Sequence, residues 1–214
     1  MSETAGKGIE TGWRGCVVTY IEAEAQPADK FGHQPRLYAL AKEIAGGERA
    51  EERDSDDDVI FAAAWMHDLG VFLGHRPADP AELARWDHVP YTIRRTGELL
   101  REWGFPEEKL EGVAEAIRTH QAKDEPGTTE AQVLRDADIL EQLGAVGALR
   151  ALVKVGRDTR YRLYSDVVPV LERAVRELPG KLRTETGRRL AERRVEALGA
   201  FLTAIDGEAG GLLY

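Results

Sequence analysis

Apolar residues recur at helical spacing along most of this chain, and stretches that alternate as a strand would are scarce. That periodicity predicts an all-α domain. The first clear helix, HQPRLYALAKEIA over 33–45, sets Leu37, Leu40, Ala41 and Ile44 on one stripe, and Gly46–Gly47 reads as its stop. VIFAAAWMHD over 59–68 is apolar nearly all round, as a central helix would be, and Asp56, Asp57 or Asp58 can cap it. Residues 69–88, rich in Gly, Pro and Asp, read as a loop with room for one short helix. TIRRTGELLREW stops at Gly104, and PEEKLEGVAEAIRTHQ starts at Pro106 with acids in its first turn. Thr128 or Thr129 caps TEAQVLRDADILEQL, which places Val133, Leu134, Ala137, Leu140 and Glu141 on one face. Beyond Gly144 the pattern predicts a short helix over 145–155, an irregular segment over 156–164 and a helix near 167–178. A long final helix over 183–205 carries a seam of Ala191, Val195, Leu198, Leu202 and Ile205. CVVTYI, residues 16–21, suits a short strand or a helix equally.

At 214 residues, with no internal repeat, the chain suits one domain over 29–206, preceded by an extension over 1–28 and followed by a tail over 207–214. No apolar run has the length of a membrane span, and MSETAGKGIE lacks the apolar core of a secretory signal. A single cysteine, Cys16, excludes an internal disulfide framework and fits a reducing, cytoplasmic setting. The net charge of -9 argues against a nucleic-acid polymer as partner, because such affinity rests on phosphate neutralisation. A small phosphorylated ligand is still open, since a bound cation can supply the positive charge. The run ERAEERDSDDD over 48–58 reads as a solvated loop leading into a helix.

The chemistry concentrates in five histidines, His33, His67, His75, His88 and His120, four of them at the edge of a predicted helix. His67 is followed directly by Asp68, and Asp138 lies between Ala137 and Ile139 in an apolar segment. Neighbours on a helix project about 100° apart, so His67 and Asp68 can close on one ion from two sides. A carboxylate at a helix C-terminus is disfavoured by the helix dipole, which speaks against Asp68 as a mere cap. Imidazole with carboxylate suits manganese, iron, zinc or magnesium, with nickel or cobalt of the same class, and the lack of thiols argues against structural zinc. His75 reads as a loop residue, and Asp136, in mid-helix, as a surface charge.

At these residues the chain resembles the HD superfamily of metal-dependent phosphohydrolases. The resemblance rests on HQPRLYALA, on the doublet in AAAWMHDLG and on VLRDADILEQLGAVG, and runs from about 29 to about 205. GFPEEKLEGVAEAIRTHQ and KLRTETGRRLAERRVEALGAFL are similar to a group of small stand-alone bacterial members that look like nucleotide pyrophosphohydrolases. The resemblance implies an HD-type helical bundle around a central metal site. His33, His67, Asp68 and Asp138 would hold one divalent ion, with His88 and His120 available for a second. Metal-bound water would attack phosphorus in a small substrate, most simply a nucleotide, with Asp68 and His120 in catalytic roles. His120 would protonate the leaving group, as histidine titrates near neutral pH. Arg36, one turn after His33, with Lys123, Arg157 and Arg160, would bind phosphate. Leu69, Gly70 and Val71 stand where many relatives carry a glutamate, which leaves the general base open. Two other activities fit the same order of residues: a dinuclear iron oxygenase cleaving a C–C or C–P bond, and a nucleotide sensor without turnover. Monomer and homodimer both fit, the seam of the last helix facing its own domain or a second copy.

Overall fold

The computed structural model describes residues 12–27, 30–157 and 161–213, and among them it holds ten α-helices, several short 3-10 turns and no strand. The helices are α1 (Trp13–Glu24), α2 (His33–Ala50), α3 (Asp57–Met66), α4 (Pro80–Leu83) and α5 (His88–Glu102). They continue as α6 (Leu110–Arg118), α7 (Thr129–Leu140), α8 (Gly144–Leu152), α9 (Val168–Glu177) and α10 (Glu185–Ala209). The all-α prediction therefore holds. Asp56 caps α3 by accepting from the Asp58 N–H, and every residue from Val59 to Met66 is buried. A helix apolar on all sides must be covered on all sides, and α1, α2, α6 and α7 pack around α3. The long α10 closes the bundle against α2, α7, α8 and α9, with Ala191 and Leu198 of its seam buried.

Several expectations need correction. Gly46–Gly47 does not end α2, which runs on to Ala50. A Cβ on Gly47 would fall 2.1 Å from Thr186 Oγ1, so the small residue permits a close crossing with α10 rather than a stop. CVVTYI is helical: Val17 and Ile21 of α1 are fully buried, and Trp13 sets its edge on Phe105 and Phe61. The acidic run is not simply solvated. Glu48 is 1% exposed, and Arg14 and Lys109 bind Asp57, Asp58 and Asp56 at 2.7–2.9 Å. Asp136 is not a surface charge either: it is fully buried, accepting from the Thr184 N–H and hydroxyl and from the Arg183 N–H. His75 bridges α1 and α5 through Glu24 at 3.0 Å and Tyr91 at 2.8 Å, a tie between elements.

Candidate metal centre

The site forms where helix ends meet. His33 opens α2, and His67 follows α3 directly with its N–H still bonded to the Ala63 carbonyl. Asp68 leads into the 3-10 turn Leu69–Val71, and His88 opens α5 behind its cap Asp87. His120 lies two residues past α6, and Asp138 sits in the last turn of α7. The imidazoles stand in a row, with ring centroids 5.2 Å apart for His33 and His67, 5.1 Å for His67 and His120, and 5.6 Å for His88 and His120. One oxygen of Asp68, Oδ1, lies 3.7 Å from His67 Nε2 and 3.9 Å from His88 Nε2, in the middle of the row.

Three tautomers follow from hydrogen bonding. A backbone carbonyl can only accept, so His67 Nδ1 donates to the Ala64 carbonyl at 3.1 Å and His120 Nδ1 to the Ile117 carbonyl at 2.7 Å. His33 Nδ1 donates to Glu141 Oε2 at 3.2 Å. Each Nε2 therefore keeps its lone pair for the interior of the cluster, the arrangement seen in metal-binding histidines. Ligand atoms of His33, His67 and Asp68 all lie within 4.8 Å of one another, and so do those of Asp68, His88 and His120. Asp138 Oδ1 stands 3.5 Å from His33 Nε2 and adds a fourth donor on that side.

Among the described residues, the buried Nε2 atoms of His33 and His88 have no hydrogen-bond partner. Buried ring nitrogens without a partner are costly, and a cation among these nitrogens and carboxylates would satisfy both. The donor set fits a divalent metal ion. Its electrostatics agree. Burial pushes the His67 imidazole down to about 4, only partly opposed by Asp68, and burial lowers His88 as well. Burial would raise the carboxyls of Asp68 and Asp138. For Asp68 the imidazoles of His67 and His33 with Lys30 outweigh it, and for Asp138 His33, His67 and Arg150 do, holding both well below the usual range. Neutral imidazoles beside ionised carboxylates are what metal binding requires. His33 differs: burial lowers it, but Asp138 and Glu141 outweigh that and raise it.

The predicted phosphate contacts divide. Arg36 reaches Glu141 Oε2 at 3.2 Å, beside His33, while its side chain stays 44% exposed. Lys123 is exposed, Arg157 is exposed past the end of α8, and Arg160 lies outside the described residues. The fold supplies instead Arg150, whose guanidinium donates to the Glu141 carbonyl at 3.2 Å, and Lys30, close enough to depress Asp68. Neither was singled out by the sequence, and Glu141 entered it only as one residue on the face of a helix. Their signal is spatial: 108 positions separate His33 from Glu141.

A family model for the HD domain matches residues 31–143. No curated protein matches the chain. Among solved structures, Bacillus subtilis YpgQ is similar at 23% identity and a TM-score of 0.69, over 93% of this chain and 96% of that one. YpgQ in complex with ADP aligns at 23% identity and a TM-score of 0.67, over 92% and 98%. A predicted HD superfamily hydrolase from an uncultured Thermotogales bacterium aligns at 25% identity and a TM-score of 0.59, over 90% and 89%. The matched segment runs from just before His33 to just past Asp138 and so contains the whole cluster, and the chain belongs to the HD-domain family.

Proposed function

We propose that this chain is a divalent-metal-dependent phosphohydrolase acting on a small phosphorylated substrate, most simply a nucleotide. The observation that carries this reading is the pair of buried, unpartnered Nε2 atoms of His33 and His88 on either side of the doublet. Membership of the HD-domain family and the hydrolase named among its structural neighbours support it. The structure of YpgQ with ADP supports a nucleotide.

In this reading His33, His67, Asp68 and Asp138 hold the ion. A bound divalent ion supplies a water of lowered pKa and an electrophile for a phosphoryl oxygen. Arg36, Arg150 and Lys30 set positive charge around the centre, where an anionic substrate gains from it. His120 has its Nδ1–H committed to the Ile117 carbonyl, so it acts as the acid only after Nε2 has itself taken up a proton, which that nitrogen then passes to the leaving oxygen. Lys123, Arg157 and Arg160 stay candidates for contacts further along the substrate. The grouping of Asp68, His88 and His120 favours a second reading, a two-ion centre, and with it the dinuclear iron oxygenase.

The test is a panel of nucleotides incubated without oxygen in manganese, comparing wild type with Asp68→Ala. Release of phosphate or pyrophosphate by wild type, falling by about 100-fold or more in the variant, is expected. No release from any nucleotide, or equal release by both proteins, defeats the phosphohydrolase reading. Two tightly bound irons with oxygen-dependent turnover would establish the alternative.

A further inference from the structure

Glu141 combines burial, charge and connectivity in a way that the ligand set does not account for. Only 3% of its side chain is exposed, yet it is an acid at the C-cap of α7, the end of a helix that disfavours negative charge. Three donors from two helices converge on a single atom, Oε2: His33 Nδ1 at 3.2 Å and the Arg36 guanidinium at 3.2 Å from α2, and the Arg150 guanidinium at 3.4 Å from α8. Arg150 also bonds the Glu141 backbone carbonyl at 3.2 Å. Burial would raise this carboxyl, but His33 and Arg36 outweigh it and hold it below the ordinary range, so it stands ionised.

We propose that Glu141 is the positioning residue of this centre, its one carboxylate oxygen fixing His33 for the metal while anchoring Arg36 and Arg150 beside it. The proposal rests on the metal-centre reading above. Its logic is that of a carboxylate behind a ligating imidazole. Accepting from Nδ1 locks the ring in the tautomer with Nε2 free, sets the ring plane and makes Nε2 a better donor. The same oxygen draws in two guanidinium groups that would otherwise extend into solvent. Metal and anion are thereby gathered at one place by a residue that touches neither, and α2, α7 and α8 are registered on one another at the site.

Glu141→Gln separates this role from simple packing. The amide keeps the volume and one accepting oxygen, so His33 Nδ1 can still be bonded, but the charge that polarises the ring and holds both guanidinium groups is lost. Glu141→Asp restores the charge on a shorter arm. The control is Glu48→Gln. Glu48 is equally buried at 1% exposure, bonded to Arg53 and the Thr186 N–H, and lies near the other end of α2 from His33.

The measurement is the affinity of metal-stripped protein for Mn²⁺ alone, by calorimetric titration, with thermal unfolding of each variant alongside. Glu141→Gln should weaken Mn²⁺ about 10- to 100-fold, Glu141→Asp should recover part of the loss, and Glu48→Gln should lower the melting temperature while leaving affinity at the wild-type value. Wild-type affinity in a folded Glu141→Gln overturns the proposal, as does an equal loss in Glu48→Gln. If Asp138→Ala binds Mn²⁺ as wild type does, or wild type binds none, the metal-centre reading has failed instead. Should Glu141→Gln not fold, Glu141→Asp decides: an unweakened affinity there, with Arg36→Ala also unweakened, is equally fatal.

Discussion

At the scale of single residues, the doublet is held in place by what stands two positions later. The Gly70 N–H donates to Thr92 Oγ1 at 3.0 Å, and its carbonyl accepts from the Trp86 indole at 2.8 Å, so the peptide units on both sides of Gly70 are fixed by side chains around the start of α5. A Cβ at this position would lie 2.8 Å from Thr92 Oγ1 and 2.9 Å from both the Cβ and the backbone oxygen of His88. Backbone cannot yield as a flexible side chain can, so Gly70 is what allows α5 to bring His88 up to Asp68. Gly70→Ala should destabilise the fold by about 1–3 kcal/mol, the usual cost of overpacking. It should also push His88 away from Asp68 while His33, His67 and Asp138 keep their places. Chemical denaturation gives the first number. Metal stoichiometry tests the second: a wild-type count of ions with unaltered affinity would show that His88 contributes no binding.

Among the elements, α7 shows what two residues of spacing decide. Asp138 faces the histidines, whereas Asp136 faces the start of α10, where Thr184 and Arg183 donate to it at 2.7–2.9 Å. Beside it Arg135, also fully buried, donates to the carbonyls of Gln121, Ala122 and Lys181 at 3.2, 2.8 and 2.6 Å. α7 thus ties the loop after His120 to the N-terminus of α10. Asp136→Ala strands these donors and leaves the Arg135 guanidinium without its neighbouring charge. A loss of about 3–5 kcal/mol is expected in urea unfolding, and a loss below 1 kcal/mol would mean that water replaces the carboxylate. The sequence announced both aspartates but not which way each faces, since a surface residue and a buried ion pair look alike without the partner. Local signals were readable: the caps Asp56 and Thr128, the apolar α3 and the ordered His33, His67–Asp68 and Asp138. What depended on distant contacts was not. The glycines of α2 looked like a stop because Thr186 of α10 is invisible from residue 47, and Glu141 looked like one more acid on a helix face.

Across the whole molecule, α3 carries charge chemistry at both ends. Its C-terminus delivers His67 and Asp68 to the candidate metal centre, and its N-terminus gathers Arg14 of α1 and Lys109, just before α6, around Asp57 and Asp58. Ten helical residues separate the two by about 15 Å, too far for direct coupling in salt. Asp58 is the hinge of this clasp: it receives Arg14 at 2.7 Å and Lys109 at 2.7 Å with 31% of its side chain exposed. Hydrogen bonds from Arg14, then from Lys109, hold its carboxyl below the ordinary value, and burial opposes them only in part. A carboxyl depressed in the folded state contributes stability that is complete above its unfolded pKa, about 3.9, and is lost as pH falls through the folded value. Asp58→Asn should therefore melt below wild type at pH 7, by up to about 1 kcal/mol given the partial exposure. The gap should hold down to about pH 4 and close on further acidification. Mn²⁺ affinity should be unchanged throughout, because the clasp joins α1 and α6 to the far end of α3. A gap that persists unaltered at low pH would assign the effect to packing of α1, and an altered metal affinity would show that strain passes along α3 from one charged end to the other.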